Sequence, residues 1–578
     1  MSEDLLRVGN CSGFYGDRLS AMRDLLEGGR DSERLDVITG DYLAELTMLI
    51  LGKDQLKDPS LGYARTFVTQ VGDCLELALG QGVRIVANAG GLNPEGLAAK
   101  LTEVAEKLGF SPRIAWVDGD NLAPRAFELG FGGALTANAY LGGFGIARAL
   151  EAGADIVVTG RVTDAALVVG PAIWRFGWTP EQYDELAGAV VAGHVIECGT
   201  QATGGNFSGF LDLPRDGQPL GFPIAAINAD GSCVITKHPD TGGIVSVDTV
   251  TAQLMYEVQG EHYLGPDVTV DLTTIALAPD GKDRVRVCGV RGQSPPPQLK
   301  VCVNELGGFR NQLEFVLTGL DIEAKAAWLL AQLEGRIEAA SVTWSTGRAP
   351  APDSETEEGA SCLLRCVVKD PSAAVAGKAF TSAGVELALG SYPGFTMTTP
   401  PGPASPYGIY RAAYVDRSAI THTVHLPDGS TEVVPDPPSA TQPHDETKED
   451  LRVPPEIAGV SEEAITRRLP LGTFVHARSG DKGGDANVGL WVRAGERQAE
   501  RAQWLNHLVS VDRVRQLVPE AAGLEVEMFA LPNLYGVNIL IHGLLGEGVA
   551  ASTRFDPQAK GLGEWLRSRL VSIPEDLL

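Results

Sequence analysis

Apolar and polar positions alternate along the first 250 residues in the rhythm of an α/β domain. Runs that predict buried parallel strands lie at residues 5–8, 35–40, 83–89, 113–118 and 154–160. Helix-length segments separate them, and the segment 95–108 follows Asn93 and Pro94, which favour a helix cap and a first helical turn. The pattern predicts a mainly parallel sheet covered by helices.

The rest of the chain predicts two further regions. Residues 265–425 hold shorter strand-like runs and a helix over 322–340, which predicts a second α/β lobe with a break near residue 260. Residues 427–468 are rich in Pro, Asp, Glu, Ser and Thr without periodicity, as in a linker. Residues 469–578 predict a compact α+β domain of ferredoxin-like size. The predicted class is therefore α/β, with a large domain over 1–426 and a small α+β domain over 469–578.

Polar and glycine residues follow several of the predicted parallel strands. Because ligands bind outside the carboxyl ends of such strands, we expect these residues to bind substrate. They are Asn10, Ser12, Asp17 and Arg18 after the first run, Asp41 after the second, Asn88, Gly90, Gly91 and Asn93 after the third, and Arg161 and Asp164 after the fifth. None of these segments forms a dinucleotide fingerprint or a Walker phosphate loop, so no NAD, flavin or ATP site is predicted.

A second polar cluster lies at residues 192–206. On a helix, His194, Glu197 and Cys198 would share one face, and on a strand His194 and Cys198 would still meet. Histidine beside cysteine can generate a thiolate nucleophile, and histidine with glutamate can transfer protons, so these three are candidate catalytic residues. Gly204 and Gly205 are candidates for substrate binding through their backbone. A buried polar turn with an inert cysteine is the alternative.

A third cluster lies at residues 236–245. Lys237 and His238 precede a glycine pair and a helical segment, an arrangement that can bind phosphate or carboxylate at a helix N-terminus. We therefore expect Lys237 to bind substrate and His238 to take part in catalysis. A solvated lysine on a turn is the alternative.

The segment 479–487 concentrates charge in a glycine-rich stretch between strand-like runs at 473–477 and 488–492. This pattern predicts a ligand-holding loop in which Asp481 is a candidate catalytic residue and Lys482, Asp485 and Asn487 are candidates for substrate binding. Its oxygen atoms could also hold a metal ion, but their spacing departs from the calcium loop pattern, so the metal stays an open question. A solvated hairpin is the alternative.

Composition excludes some classes of partner. The formal charge of −27, from 74 acidic and 47 basic side chains, argues against nucleic acid and anionic membranes. Neither a signal-peptide pattern nor a stretch of 18 apolar residues occurs, and the eight cysteines are scattered, so we expect a cytoplasmic protein with reduced thiols. A homo-oligomer is expected because closed homo-oligomers are common among soluble proteins.

Five segments, in their order along the chain, resemble the acyclic terpene utilisation protein A family. They are GNCSGFYGDR at 9–18, GDYLAE at 40–45, NAGGLNP at 88–94, TGRVTD at 159–164 and KHPDTGG at 237–243. Near the C-terminus, ARSGDKGGD at 477–485 and RFDPQAKG at 554–561 are similar to the small ferredoxin-fold domain of that family. The resemblance covers nearly the whole chain.

The resemblance implies catabolism of citronellol- or geraniol-type terpenoids, or related branched acids, as coenzyme A thioesters. The leading hypothesis is an enzyme that adds water to, or removes it from, a branched unsaturated acyl-CoA. Glu197 or His194 would transfer the proton, amides near Gly90 and Gly91 or Gly204 and Gly205 would stabilise an oxyanion, and Lys237 or Lys482 would bind an anionic group. The alternatives are a thioester hydrolase or transferase that uses Cys198, and a non-catalytic binding or assembly protein.

Overall fold

A computed structural model describes residues 5–28, 34–437 and 465–578 of the chain. These residues form two compact units. The first comprises the described parts of Met1–Asn304 together with Tyr410–Val549 and Gln558–Leu578, and the second comprises Glu305–Ile409 and Ala550–Pro557. The strands Gln298–Thr318 and Ser405–Asp416 each contribute residues to both units.

The largest sheet of the first unit has a parallel centre. Its five central strands, in spatial order, are Leu5–Asn10, Val37–Gly40, Arg84–Ala87, Ile156–Thr159 and Ile114–Asp118. Neighbouring side chains on these strands point to opposite faces, so Val86 and Val157 enter one core while Ile85 and Ile156 enter another. Both faces are therefore buried, as the continuous apolar runs predict.

Antiparallel strands extend this sheet on both sides, so the sheet as a whole is mixed. On one side, in order outward, lie Pro223–Asn228, Cys233–Lys237, Arg284–Cys288 and Ala276–Pro279, and on the other lie Thr423–His425 and Thr431–Val433. The last strand belongs to the stretch predicted as a linker, whereas residues 438–464 of that stretch lie outside the described residues.

Eight α-helices accompany this sheet in the described part of the first unit. They are Ala21–Gly28, Glu45–Lys57, Arg65–Gln81, Pro94–Leu108, Phe144–Glu151, Ala166–Phe176, Tyr183–Ile196 and Val247–Leu254. The predicted cap at Asn93 is present, since its side-chain Oδ1 accepts the Gly96 N–H at 2.9 Å. Two smaller pieces of sheet complete this region: Arg291–Gln293, Thr269–Asp271 and His262–Leu264 pair in that order, and Thr136–Ala139 pairs with residues 301–304.

The C-terminal part of the first unit is a small α+β domain. Its four antiparallel strands follow the order Val475–Lys482, Asp485–Val492, Gly536–Ile541 and Val526–Leu531. Helices Gln498–Leu508, Val511–Leu517 and Leu562–Ser568 share its core, in which Leu505 and Leu566 are almost fully buried. Strands Thr466–Pro470 and Leu570–Pro574 pair at its two chain ends.

The second unit is built on an antiparallel sheet. Residues 309–318 pair with Ser361–Asp370, which pairs with Ser341–Thr346, and residues 315–316 pair with Thr396–Met397. Its α-helices are Ile322–Leu333 and Phe380–Val385. Throughout the described ranges of both units, no helix combines the length and the apolar character needed to cross a membrane.

Candidate functional site

A cavity of about 2590 Å³ lies at the carboxyl ends of the central parallel strands in the first unit. Its wall includes Asp41, which follows strand Val37–Gly40, and Arg161 and Asp164, which follow strand Ile156–Thr159. Ligands of parallel sheets bind at this edge, so we take the cavity as the candidate site.

Two asparagines at the same strand ends shape the wall from behind. The amide of Asn88 donates to Asp41 Oδ1, and its carbonyl oxygen accepts the Tyr42 N–H at 2.8 Å. The amide of Asn10 donates to the carbonyls of Ile196 and Glu197, both at 2.8 Å. Asn10 therefore fixes the position of Glu197, and Asn88 fixes that of Asp41. Asn10 and Asn88, both among the described residues, do not line the cavity themselves.

Arg161 is the buried cation of this wall, with only 3% of its surface exposed. Its Nη1 donates to Asp164 Oδ1 at 2.8 Å, and its guanidinium lies 4.3 Å from the centre of the Tyr140 ring. Burial, followed by the charge of Asp164, raises the pKa of Asp41 well above its usual range, while Arg161 opposes that shift. The guanidinium thus offsets the charge of two neighbouring carboxyl groups.

The helix Tyr183–Ile196 supplies the next pair of groups. From Leu186 onward all its residues are buried, as expected for a helix that is apolar all round. His194 and Glu197 are three residues apart at its C-terminal end, and His194 Nδ1 lies 3.1 Å from Glu197 Oε1. Among the described residues, His194 Nε2 and Glu197 Oε2 have no hydrogen-bond partner.

Burial and mutual contact shift the pKa values of both members of this pair. Burial raises the pKa of Glu197 to about 7. For His194, burial lowers the pKa, but the charge and hydrogen bond of Glu197 outweigh this effect, so the pKa is raised. Glu197 lines the cavity, and it can therefore exchange a proton with a ligand there near neutral pH.

Cys198 also lines the cavity, directly after this pair. Burial, followed by the charge of Glu197, raises the pKa of its thiol well above the usual range. The thiol is therefore neutral at physiological pH. A neutral thiol is a poor nucleophile, since the reactive form is the thiolate.

The C-terminal domain contributes its first hairpin to the same cavity. The prediction of a loop over 479–487 is wrong. Strands Val475–Lys482 and Asp485–Val492 pair in register, and only Gly483 and Gly484 form the turn between them. A two-residue turn with a glycine at positive φ suits such a hairpin, and Gly483 has φ +64°. This geometry places Asp481 and Lys482 in the cavity wall.

Asp481 is a second carboxyl group that titrates near neutral pH. Burial, followed by the charge of Glu257, raises the pKa of Asp481 to about 7. Its Oδ1 lies 3.6 Å from Lys560 Nζ, and Lys560 also donates to the Tyr256 hydroxyl. Two separate carboxyl groups of the cavity, Glu197 and Asp481, thus have pKa values raised to about 7.

Two lysines bring positive charge. Lys482 Nζ lies 3.9 Å from Glu257 Oε2; burial lowers the pKa of Lys482, but Glu257 and Glu45 outweigh burial and raise it. Lys300 lies 5.1 Å from the centre of the Tyr140 ring, and burial, followed by the charge of Lys482, lowers its pKa to about 8. Lys482 stays charged at neutral pH, whereas Lys300 can lose its proton slightly above it.

Several cavity residues escaped the sequence predictions. They are Glu45, Tyr140, Tyr256, Glu257, Tyr263, Lys300 and Lys560. Glu45 and Lys560 stand within the quoted segments 40–45 and 554–561, which is a signal that could have found them. Lys300 is a lone lysine in the apolar stretch LKVCV, a pattern that gives a weaker signal.

The structure describes both Lys237 and His238, and neither residue lines the cavity. Lys237 Nζ donates to the Thr241 carbonyl at 2.8 Å and lies 3.7 Å from Asp283. His238 Nε2 lies 2.9 Å from the Leu25 carbonyl, and burial lowers its pKa. These contacts hold the chain after strand Cys233–Lys237.

The glycines after strand Arg84–Ala87 serve close packing. A Cβ at Gly90 would lie 2.5 Å from the Thr159 carbonyl oxygen, and Gly91 has φ +54°. Asn93 caps the helix Pro94–Leu108. None of these three described residues lines the cavity, so amides near Gly90 and Gly91 lie away from it.

The segment after the first strand lies partly in the wall. Asp17 lines the cavity, and its Oδ2 accepts the Gly13 N–H at 2.8 Å. Ser12 Oγ donates to the Phe14 carbonyl at 3.0 Å, and the Arg18 guanidinium lies 4.9 Å from the centre of the Phe222 ring. Ser12 and Arg18 thus stabilise the segment that carries Asp17.

The backbone amides of Gly204 and Gly205 already have partners. They donate to the carbonyls of Gln201 and Thr200 at 3.2 and 3.0 Å, within the turn that follows Cys198. Gly205 lines the cavity. An oxyanion donor would therefore have to be another group of the cavity, such as the ammonium groups of Lys300 and Lys482 or the hydroxyl of Tyr140.

Asp485 and Asn487 belong to the hairpin, and their side chains hold neighbouring segments by hydrogen bonds. Asp485 accepts the Gly543 N–H at 2.8 Å and lies 3.1 Å from His542 Nδ1, whereas Asn487 Oδ1 accepts the Glu257 N–H at 2.9 Å. Within the described ranges, no group of three or more His, Cys, Asp or Glu side chains is arranged to hold a metal ion.

Two family models match the chain. The model of the acyclic terpene utilisation family protein AtuA matches residues 6–426, and the model of the AtuA ferredoxin-like domain matches residues 469–572. No curated protein matches it. The first match alone covers well over half of the sequence. The chain therefore belongs to the acyclic terpene utilisation family AtuA and carries the ferredoxin-like domain of that family at its C-terminal end.

Proposed function

We propose that this protein is an enzyme of acyclic terpene utilisation that adds water to, or removes water from, a branched unsaturated acyl-CoA. Membership of the family supports the pathway. One observation supports the class of reaction: Glu197 and Asp481, which come from different domains, line one cavity and have pKa values of about 7.

Loss of water from a hydroxyacyl thioester needs a base for the proton next to the carbonyl and an acid for the departing hydroxyl. Groups with a pKa close to 7 occur in both protonation states at neutral pH and can play either part. Glu197, backed by His194, and Asp481, next to Lys560, would provide these two groups. Addition of water uses the same groups in reverse.

The negative charge that develops on the thioester oxygen requires a donor. Lys300, Lys482 and the Tyr140 hydroxyl are the candidates, since all three side chains line the cavity and the amides of Gly204 and Gly205 are already engaged. A preorganised donor in a partly dry site stabilises such an oxyanion strongly. We assign this role to the two lysines together.

The size of the cavity suits a long substrate. Its volume of about 2590 Å³ exceeds the roughly 300–1,000 Å³ typical of sites for drug-sized ligands, which leaves room for a coenzyme A thioester.

Acidic side chains outnumber lysines and arginines in the lining of the cavity. The charged nucleotide part of coenzyme A gains little from such a wall, so the free branched acids belong in the test beside the thioesters.

The test incubates the purified full chain with geranyl, citronellyl and isohexenylglutaconyl thioesters and with the matching free acids, in ordinary water and in ¹⁸O-labelled water. Mass spectrometry is expected to show either gain of one water, with the label in the new hydroxyl group, or loss of one water, with no label in the product. Release of free coenzyme A with the label in a carboxylate would mean thioester hydrolysis instead. Binding without any product would identify a binding or assembly protein.

The thioester hydrolase alternative gives a prediction for Cys198. Because its thiol is neutral, Cys198→Ser is expected to retain the turnover of the wild-type protein in the same assay. Serine keeps the size of the side chain and removes the sulfur nucleophile. A fall of about 100-fold or more, with unchanged thermal stability, would restore the covalent mechanism.

A further inference from the structure

Glu257 has a backbone conformation that is uncommon for its side chain. It follows the helix Val247–Leu254 and has φ +58°, in the left-handed region that favours glycine. Such residues persist where the surrounding structure holds them in place, and they are frequent at functional sites. Glu257 lines the cavity, so the strained position presents a carboxylate to the candidate site.

Two asparagines of the ferredoxin-like domain hold this segment. Asn487 Oδ1 accepts the Glu257 N–H at 2.9 Å, and the amides of Asn538 and Asn487 donate to the Val258 carbonyl at 2.9 and 3.3 Å. Asn487 also donates to Asn538 Oδ1, and both side chains are fully buried. Buried amides are costly unless they are satisfied, so this pair specifies the conformation of the segment closely.

The packing next to these hydrogen bonds is equally tight. A Cβ at Gly480 would lie 2.3 Å from Tyr256 Cε2, and a Cβ at Gly489 would lie 2.4 Å from Met255 Cβ. Both glycines belong to the strands of the first hairpin. The hairpin and the segment that carries Glu257 therefore fit together without space for a side chain at either position.

The carboxylate of Glu257 acts on many groups of the cavity. Lys482 Nζ is 3.9 Å away. The titratable groups whose pKa values respond to the charge of Glu257 are His194, Glu197 and Cys198 at the end of helix Tyr183–Ile196, its neighbour Tyr256, Tyr263, and Asp481 and Lys482 of the hairpin. Both carboxyl groups assigned to proton transfer are in this set.

We propose that Glu257 is a positioning residue of the site, held in place by Asn487 and Asn538, and that its charge is coupled electrostatically to both Glu197 and Asp481. The roles of Glu197 and Asp481 in catalysis rest on the proposed function. The electrostatic coupling does not, because it is a property of the folded protein without substrate.

The coupling has a definite sign. The negative charge of Glu257 favours the protonated forms of Glu197, Asp481 and His194, and thereby raises their pKa values. Ordinary Glu and Asp have pKa values of about 4, so the folded state binds more protons than the unfolded state between about pH 4 and pH 7. These groups therefore contribute stability that is lost as the pH rises through this range. Neutralising Glu257 should reduce that loss, and with it the decrease of the melting temperature that these groups cause.

The test compares thermal unfolding of the full chain with that of Glu257→Gln from about pH 5 to about pH 8. We expect a smaller decrease of the melting temperature with pH in the variant than in the wild-type protein. Glu261→Gln is the matched control, since Glu261 is an exposed carboxylate four residues further along, and it should follow the wild-type curve. Identical pH dependence in all three proteins would overturn the proposal.

Two further variants separate position from charge. Asn487→Ala should reproduce the reduced pH dependence of Glu257→Gln, because it releases the backbone that holds the carboxylate. Glu257→Gly removes the charge but suits the positive φ, so we expect folding without loss of melting temperature together with the reduced pH dependence. If Asn487→Ala kept the wild-type pH dependence, the asparagine would not be what positions Glu257. No substrate is needed for these measurements, so failure of the proposed reaction would leave their outcome intact.

Discussion

Replacement of Glu197 by glutamine is expected to lower the rate of the proposed addition or removal of water by about 10²–10⁴-fold, which is the usual contribution of a positioned acid or base. Glutamine keeps the shape of the side chain and can still contact His194, but it cannot exchange a proton near neutral pH. Substrate binding should change far less than turnover, because the charge lost is one that the protein holds only partly at pH 7.

The measurement is the single-turnover rate of the Glu197→Gln protein, followed by mass spectrometry of the acyl product. Glu181→Gln is the control, since Glu181 is exposed just before the same helix and should leave the rate unchanged. The wild-type rate should pass through a maximum near pH 7, where one of Glu197 and Asp481 is protonated and the other is not. An unchanged rate in Glu197→Gln, with loss of activity in Asp481→Asn, would move the proton transfer to Asp481 alone.

Replacement of Arg161 by methionine is expected to lower the free energy of unfolding by about 3–5 kcal/mol, the cost of leaving a buried charge without its partner. Methionine has a similar length and fills the space beside the Tyr140 ring, but it cannot offset Asp164 and Asp41. Burial has already raised the pKa of Asp41, and removal of the guanidinium should raise it further. The variant should therefore be least stable at alkaline pH.

Urea unfolding followed by tryptophan fluorescence would measure this loss as a shift of the transition midpoint. Lys100→Met is the control, because Lys100 forms an exposed ion pair with Glu103 at 2.8 Å, and such pairs contribute little to stability. If both variants shifted the midpoint equally, the guanidinium of Arg161 would not be what stabilises the two carboxyl groups.

The sequence predicts part of the site because some of its geometry is local. Asp41, Arg161 and Asp164 each follow a parallel strand, and the carboxyl ends of such strands converge whatever the rest of the fold does. His194 and Glu197 meet because a helix brings residues three apart together. These relations need only the type of element on which each residue lies.

Other parts depend on contacts between distant segments. Asn10, Asn88 and Asn487 all stand near the cavity, but each directs its amide toward a backbone or a buried side chain, and only the packing of segments far apart in sequence decides this orientation. Glu257 gives no local signal, since its position depends on hydrogen bonds from residues more than 200 positions later. Lys300 looks like a solvated lysine on a strand edge until burial is known.

The bounds of helices and strands were also predictable in some parts of the chain and not in others. Residues 498–517 form two helices because Ser510 caps the second one, with its Oγ accepting the Arg513 N–H at 3.2 Å. The predicted helix over 322–340 ends at Leu333. The alternation of strands and helices in the first 250 residues, by contrast, is strong enough to predict the five central strands.

The cavity is assembled from segments far apart in the chain, which include Asp17 and Asp41 on one side and Asp481 and Lys560 on the other. During synthesis the ribosome releases the N-terminal sheet first, so a nascent chain can fold Asp41, Arg161 and Glu197 long before the hairpin with Asp481 exists. At that stage the acidic wall is open to water and lacks Lys482 and Lys560. The proposed activity is thus withheld until translation has passed Lys560, and a protein whose synthesis stops before residue 560 would lack this lysine.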